Sequence, residues 1–322
     1  MKPKLFKMTK KIAFIFPGQG SQKIGMGKNF YDNFASAKEV FQEIDDVLEQ
    51  NLSELIFSGE ITELTKTENT QPALMAVSIA ILKTLLIAAK KDINEIATYA
   101  AGHSLGEYSA LAAANALSVA DTAKILKVRG QGMRDAGDKT QGAMAAIIGT
   151  DFETAEKIVK QAAKHEVCQI ANDNSLGQIV ISGHKTAIDR AILLGKEFGA
   201  KKIIPLPVSG AFHSELVREA GDKVAKALQH ITINQPLIPI IANVTAKAEQ
   251  DSTNIKELLV KQVTSKVRWR ETVTELKNLG VTDIIEIGSG KVLTGLVRRI
   301  EPDLNIFNIE QPDNLDEFLA SF

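Results

Sequence analysis

A single cysteine, Cys168, in a chain of 322 residues has no partner within the chain. An internal disulfide framework is therefore excluded, and a reducing compartment is favoured. Paired Cys/His spacing is missing too, so no structural zinc site is expected. Net charge is only −1, with 38 basic and 39 acidic residues, which gives no electrostatic case for nucleic acid as a partner. An unbroken membrane-length apolar run is also lacking. The longest, "PALMAVSIAILKTLLIAA", is interrupted by Lys83 and carries Ser78 and Thr84, so it reads as a buried helix rather than a span. The basic start "MKPKLFKMTK" lacks the apolar region and cleavage site of a secretory signal. Residues 1–10 are expected to be a flexible extension, with Met8 an equally good start, and the expected location is the cytoplasm.

What remains is an ordinary globular composition, 44% hydrophobic and 24% charged, long enough for a large core. Apolar runs ending in glycine or polar loops ("KIAFIF", "IATYAAG", "LIPIIANV", "TDIIEIGSG") read as strands buried on both faces. Helical patterns over 71–90, 105–117, 118–134 and 253–279 lie between them, which predicts a parallel α/β sheet. Residues 142–207 read as β-α-β-β-α-β. "GAMAAIIG" is a strand, and a helix opens with the capping box Thr150-x-x-Glu153. The strands "VCQIAN" and "GQIVISG" flank a "DNSL" turn, and a helix closed by a glycine cap precedes the strand "AKKIIPLPV". That order is the ferredoxin-like unit. The expectation is a catalytic α/β domain, 11–138 and 208–322, interrupted by a small insert at 139–207.

"FPGQGSQKIGMG" follows the first strand, but it fits neither nucleotide loop. Gly18 and Gly20 suit the dinucleotide fingerprint, yet Lys23 occupies the third glycine position; Gly20 and Gly25 suit a P-loop, yet Met26 stands where lysine is required.

"AAGHSLGEYSAL" holds G-x-S-x-G between a strand and an alanine-rich helix, the context of a nucleophile elbow at Ser104. A serine in a helix-capping turn is the plainer alternative. Serine needs a base. Among the five histidines, His165, His184 and His230 end polar helical patterns and read as solvated, while the His103 side chain should point away from that of Ser104. His213, in the small-residue loop "PVSGAFHSEL", is the better base. No Asp or Glu between Ser104 and His213 sits in a post-strand loop, so a dyad is expected, with a neutral acceptor such as a carbonyl oxygen orienting the imidazole. In this geometry the oxyanion donors are the backbone N–H groups of Leu105 and Gln19, the latter on the first glycine loop.

These blocks resemble the malonyl-CoA:acyl carrier protein transacylase family, from about Lys11 to Arg299. Besides the loop and the elbow, they include "TQPAL", "KVRGQGM", "NSLGQIVISG", "AFHS", "VRW" and "EIGSGKVLTGL". The resemblance implies an α/β-hydrolase-like domain with a ferredoxin-like insert, and ping-pong transfer of malonyl from malonyl-CoA to acyl carrier protein for fatty-acid synthesis. No cofactor or metal is implied, and a monomer is expected. It also implies that Ser104 is the nucleophile and His213 the base, and that Arg129 holds the malonyl carboxylate. The Gln262 main-chain carbonyl would orient His213, Asn172 and Asn174 would lie near the acyl or pantetheine pocket, and Phe212 would favour malonyl over branched units. "SK" at 265–266 departs from the family's usual Asn-Pro. Lys266, Arg268, Lys291, Arg298 and Arg299 are candidates for a basic carrier-protein surface. The alternatives are a serine esterase or thioesterase of α/β-hydrolase type, and a non-catalytic carrier-binding subunit.

Overall fold

The computed structural model describes residues 10–320 apart from residue 209. The expected N-terminal extension, except for Lys10, lies outside the described residues. The described residues form ten strands among helices: β1 (Ile12–Phe16), β2 (Tyr99–Gly102), β3 (Gly142–Ile148), β4 (Cys168–Ser175), β5 (Gln178–His184), β6 (Lys202–Pro205), β7 (Ile240–Ile241), β8 (Ala248–Glu249), β9 (Asp283–Ile287) and β10 (Asn305–Ile309). They assemble into two sheets. The larger, in order β10-β9-β1-β2-β7-β8, is parallel except for its β8 edge; the smaller, β4-β5-β3-β6, is antiparallel.

Every residue of β1 and β9 is buried, as the unalternating apolar runs require of strands covered on both faces. The long apolar helix, Thr67–Ala89, is one that by length and composition alone could cross a membrane. Here most of it is buried in the core. The helix Val119–Thr140 crosses it closely, because Gly130 has no side chain: a Cβ there would stand 2.5 Å from the Glu68 Cα. That approach brings residue 129 of one helix against residue 71 of the other.

The two sheets are stitched beside the carboxyl ends of the parallel strands. Outer strand β4 exchanges backbone hydrogen bonds with Val267: Asp173 N–H donates to its carbonyl (2.9 Å), and its N–H donates to the Ala171 carbonyl (2.8 Å). Arg270 then clamps the buried Asp173 carboxylate through both Nε and Nη2.

Several expected boundaries move, each for a local reason. The helix expected over 253–279 is two, Ser252–Gln262 and Trp269–Asn278, because the backbone at Val267 pairs with β4 instead of continuing a helix. The first helix after β3 is capped by Asp151, whose side chain accepts from Thr154 N–H (2.7 Å), one residue beyond the expected Thr150. β4 runs through Asp173 and Asn174, whose polar side chains find partners across the sheet junction; the turn falls at Leu176–Gly177. Ile96 ends a short helix with a capping box, Asp92 and Glu95, and does not start β2. The "LIPIIANV" run contributes only two residues of strand. β10 was not anticipated: its alternation of exposed and half-buried positions marks the edge strand it becomes.

Candidate active site

β1 and β2 run side by side, Phe16 opposite Gly102, so the loops leaving their carboxyl ends meet. Gly18 lies so close to the second loop that a Cβ would come 2.6 Å from the His103 carbonyl oxygen. Within the elbow, a Cβ on Gly102 would stand 1.9 Å from the Gly106 carbonyl oxygen, and one on Gly106 would stand 2.3 Å from that of Phe16. The small residues flanking the serine are therefore steric requirements. Ser104 sits at φ 54°, ψ −108°, at the start of the helix Leu105–Ala113. Neither the Leu105 nor the Gln19 N–H finds a hydrogen-bond partner among the described residues.

Ser104 Oγ lies 2.8 Å from His213 Nε2 and accepts from Arg129 Nη2 at 3.0 Å. His213 Nδ1 stands 3.0 Å from the carbonyl oxygens of both Gln262 and Ser265. Carbonyl oxygens only accept, so Nδ1 carries the proton and Nε2 presents its lone pair to the serine. The orienter is thus a pair of main-chain carbonyls, one as expected at Gln262 and one missed at Ser265, where "SK" replaces the anticipated turn. Burial, then the Arg129 charge, push His213 down to about 3, so the ring is neutral at neutral pH.

Arg129 is 1% exposed and meets no carboxylate among the described residues. Nη1 donates to Gln71 Oε1 (2.7 Å), Nη2 also donates to Gln262 Oε1 (2.9 Å), and Nε is buried without a partner. The guanidinium also lies over the Tyr108 ring, 5.6 Å from its centroid. Gln71 belongs to the "TQPAL" block, where nothing in the letters alone marked it as the arginine's support.

Asn243 was missed as well. Fully buried after β7, it accepts from the Ser104 N–H through Oδ1 and donates through Nδ2 to the Gly102 carbonyl, each at 2.7 Å. It therefore grips both sides of the elbow. Its only sequence signal was a polar residue ending the strand-like "LIPIIANV".

The other expected residues divide. Asn174 reaches the site's surroundings, its Oδ1 lying 2.8 Å from Nε2 of His103, whose ring packs 5.6 Å from that of Trp269. Asn172 and Phe212 are buried beside the site, but no side-chain bond joins either to the Ser104–His213–Arg129 cluster. His165 and His230 are exposed as expected. His184 is not simply solvated: its Nδ1 accepts from the Val167 N–H. Of the basic candidates, Arg268 pairs with Glu271 and Arg299 donates to Gln178, whereas Lys266 lies 4.1 Å from the Phe152 ring centroid. Lys266, Phe152, Lys160, Gln169 and His213 line a cavity of about 650 Å³ leading to the imidazole, a volume suited to a small-molecule arm.

The "Acyl transferase domain" family matches residues 13–300. A Bacillus subtilis protein named malonyl CoA-acyl carrier protein transacylase is 45% identical over 95% of each chain. The crystal structure of an acyl-carrier-protein-S-malonyltransferase from Bartonella henselae superposes with a TM-score of 0.92 at 45% identity, covering 97% of this chain and 99% of that one. A malonyl-transacylase in complex with a type II PKS acyl-carrier protein gives a TM-score of 0.93 at 38% identity, covering 97% and 100%. The chain belongs to the acyl transferase family, alongside its malonyl CoA-acyl carrier protein transacylases.

Proposed function

We propose that this enzyme moves a malonyl group from malonyl-CoA to the phosphopantetheine thiol of an acyl carrier protein, through a malonyl ester on Ser104. The observation that carries the reading is Arg129: a fully buried guanidinium, 3.0 Å from the Ser104 hydroxyl, hydrogen-bonded only to neutral side chains among the described residues and with Nε unsatisfied. A buried cation with no carboxylate in direct contact is costly. An acyl group bearing its own carboxylate supplies that anion in the bidentate geometry arginine favours.

His213 Nε2 takes the Ser104 proton as Oγ attacks the thioester carbonyl. The backbone N–H groups of Leu105 and Gln19 receive the oxyanion, and the imidazolium returns its proton to the leaving CoA thiolate. A pantetheine thiol entering past Lys266 and Gln169 reverses the sequence. Asn172, Asn174 and Phe212 shape the surroundings of this path. The thioester provides the activated carbonyl, so the reading assigns no cofactor or metal.

In this reading the parallel sheet and its helices form an α/β-hydrolase-like unit, 11–138 and 208–322, and residues 139–207 a ferredoxin-like insert. The small sheet's order, β6-β3-β5-β4 with helices after β3 and β5, supports the latter. The enzyme acts as a monomer, every proposed group coming from one chain. A reducing cytoplasm suits its lone thiol, Cys168, which burial pushes up to about 11.

Intact mass after mixing with malonyl-CoA tests the proposal. A malonyl adduct on the Ser104 peptide that persists until acyl carrier protein is added supports transfer. Rapid return to free enzyme without an acceptor supports the hydrolase reading instead.

A further inference from the structure

No step above uses Glu107. It lies three residues past Ser104 and is 3% exposed. Its Oε2 accepts from Gln262 Nε2 at 2.6 Å and from the Asn243 N–H at 3.2 Å. Gln262 turns the other end of the same amide, Oε1, to Arg129 Nη2. One side-chain amide therefore bridges a buried carboxyl and a buried guanidinium that form no direct ion pair among the described residues.

The surroundings leave Glu107 as the adjustable charge. Arg129 faces it from the helix Val119–Thr140, and Tyr108, pushed up to about 12, adjoins it on its own helix. Gln262 and Asn243, from the other two packed elements, are neutral. Across the same cleft, burial holds both His213 and His103 down and uncharged near neutral pH. Glu107 itself is raised to about 7 by burial, against the pull of Gln262, Asn243 and Arg129.

We propose that Glu107 is a positioning residue acting through Gln262, which balances charge at the acyl site by taking up a proton from water when a carboxylate-bearing acyl group seats on Arg129. The inference rests on the malonyl reading above. Two carboxylates sharing one guanidinium in a dry site cannot both stay ionised cheaply, so seating the second favours protonating the first. By linkage, the ionised form of Glu107 opposes malonyl binding.

The test mixes enzyme with malonyl-CoA in weak buffer containing a pH-indicator dye, while intact mass counts acylation. Readings run from about pH 6 to 7.5, where the released thiol keeps its proton. Expected is uptake of a fraction of a proton per malonyl group, growing towards the upper end of the range. Glu107→Gln should form the adduct without uptake. The malonyl-CoA KM of the parent enzyme should rise up to about tenfold per pH unit above about 7, with kcat little changed, and be flat in the variant. Acylation without uptake in the parent enzyme overturns the inference and leaves the malonyl reading intact; so does equal uptake in Glu107→Gln. Absence of any adduct removes both. Should the variant not fold, the proton count of the parent enzyme decides alone.

Discussion

Ser104 Oγ and His213 Nε2 stand 2.8 Å apart, and both residues hold left-handed backbone, φ 54° at the serine and 55° at the histidine. Neither is glycine, so each carries a conformational cost of about 1–3 kcal/mol that the surrounding contacts must offset. Strain at both ends of one hydrogen bond is the pattern of a site in which position matters more than local comfort.

The depressed His213 sets a pH prediction. An ordinary imidazole loses its basic form below about pH 6.5. Held down to about 3, this ring stays in its unprotonated form through mildly acidic solution. The rate of acyl-enzyme formation between about pH 5 and 6.5 should show no break from a titrating histidine. A break centred near 6.5 would show that the ring is solvated. The stability effect has the same origin. The unfolded ring binds protons below about 6.5 and the folded one does not, so this contribution is present above 6.5 and drains away as pH falls towards 3. Denaturant midpoints across that range should show a shallower acid limb in His213→Ala.

Arg129 should determine acyl choice. Arg129→Ala is expected to lower kcat/KM for malonyl-CoA by about 10- to 100-fold, the loss of a charge-assisted pair, while sparing acetyl transfer. Arg129→Lys should not restore malonyl transfer, since a compact ammonium lacks the planar fork whose two Nη atoms reach Gln71 and Gln262 separately and which pairs bidentately with a carboxylate. Competing acetyl- and malonyl-CoA assays decide; equal loss with both substrates would remove the arginine's assigned role.

The contrast between what the letters revealed and what they concealed follows from how each residue works. The meeting of Ser104 and His213 was legible because the serine's flanking glycines are demanded by a turn that a Cβ would destroy, and because His213 alone among the five histidines sits in a small-residue loop after a strand. Gln71, Asn243 and Ser265 were not. Each acts through a neutral amide or a carbonyl oxygen, which carries no charge pattern, and each meets its partner (Arg129, Ser104 or His213) only after segments far apart in the chain have packed. The two sheets were legible from periodicity, but the break at 263–268 was not, because it is imposed by pairing with β4 across the junction rather than by local preference.

Asn243 supplies the test of that hidden layer. Its two 2.7 Å bonds hold the amide of Ser104 and the carbonyl of Gly102, fixing the direction of the serine. Asn243→Ala leaves a buried donor and a buried acceptor unmet, at a cost of about 2 kcal/mol or more in stability. It should lower kcat by about 10²-fold, because the hydroxyl loses its alignment with His213. Thermal melts beside single-turnover acylation separate the two effects. Full activity at the lower stability would mean that the elbow holds its shape unaided.

A pair of glycines tests the steric account of the elbow itself. Gly102→Ala places a methyl 1.9 Å from the Gly106 carbonyl oxygen, a backbone atom of the same turn that cannot rotate away. The elbow must open, and stability should fall by about 3 kcal/mol or more, with acylation of Ser104 lost. Gly295, in the helix Val292–Ile300, has nothing within 4 Å of its would-be Cβ. There alanine should stabilise the helix by about 0.5–1 kcal/mol and leave transfer unchanged. Chemical denaturation of the two variants together makes the comparison internal: if Gly102→Ala proved as benign as Gly295→Ala, the small residues around Ser104 would not be there for space.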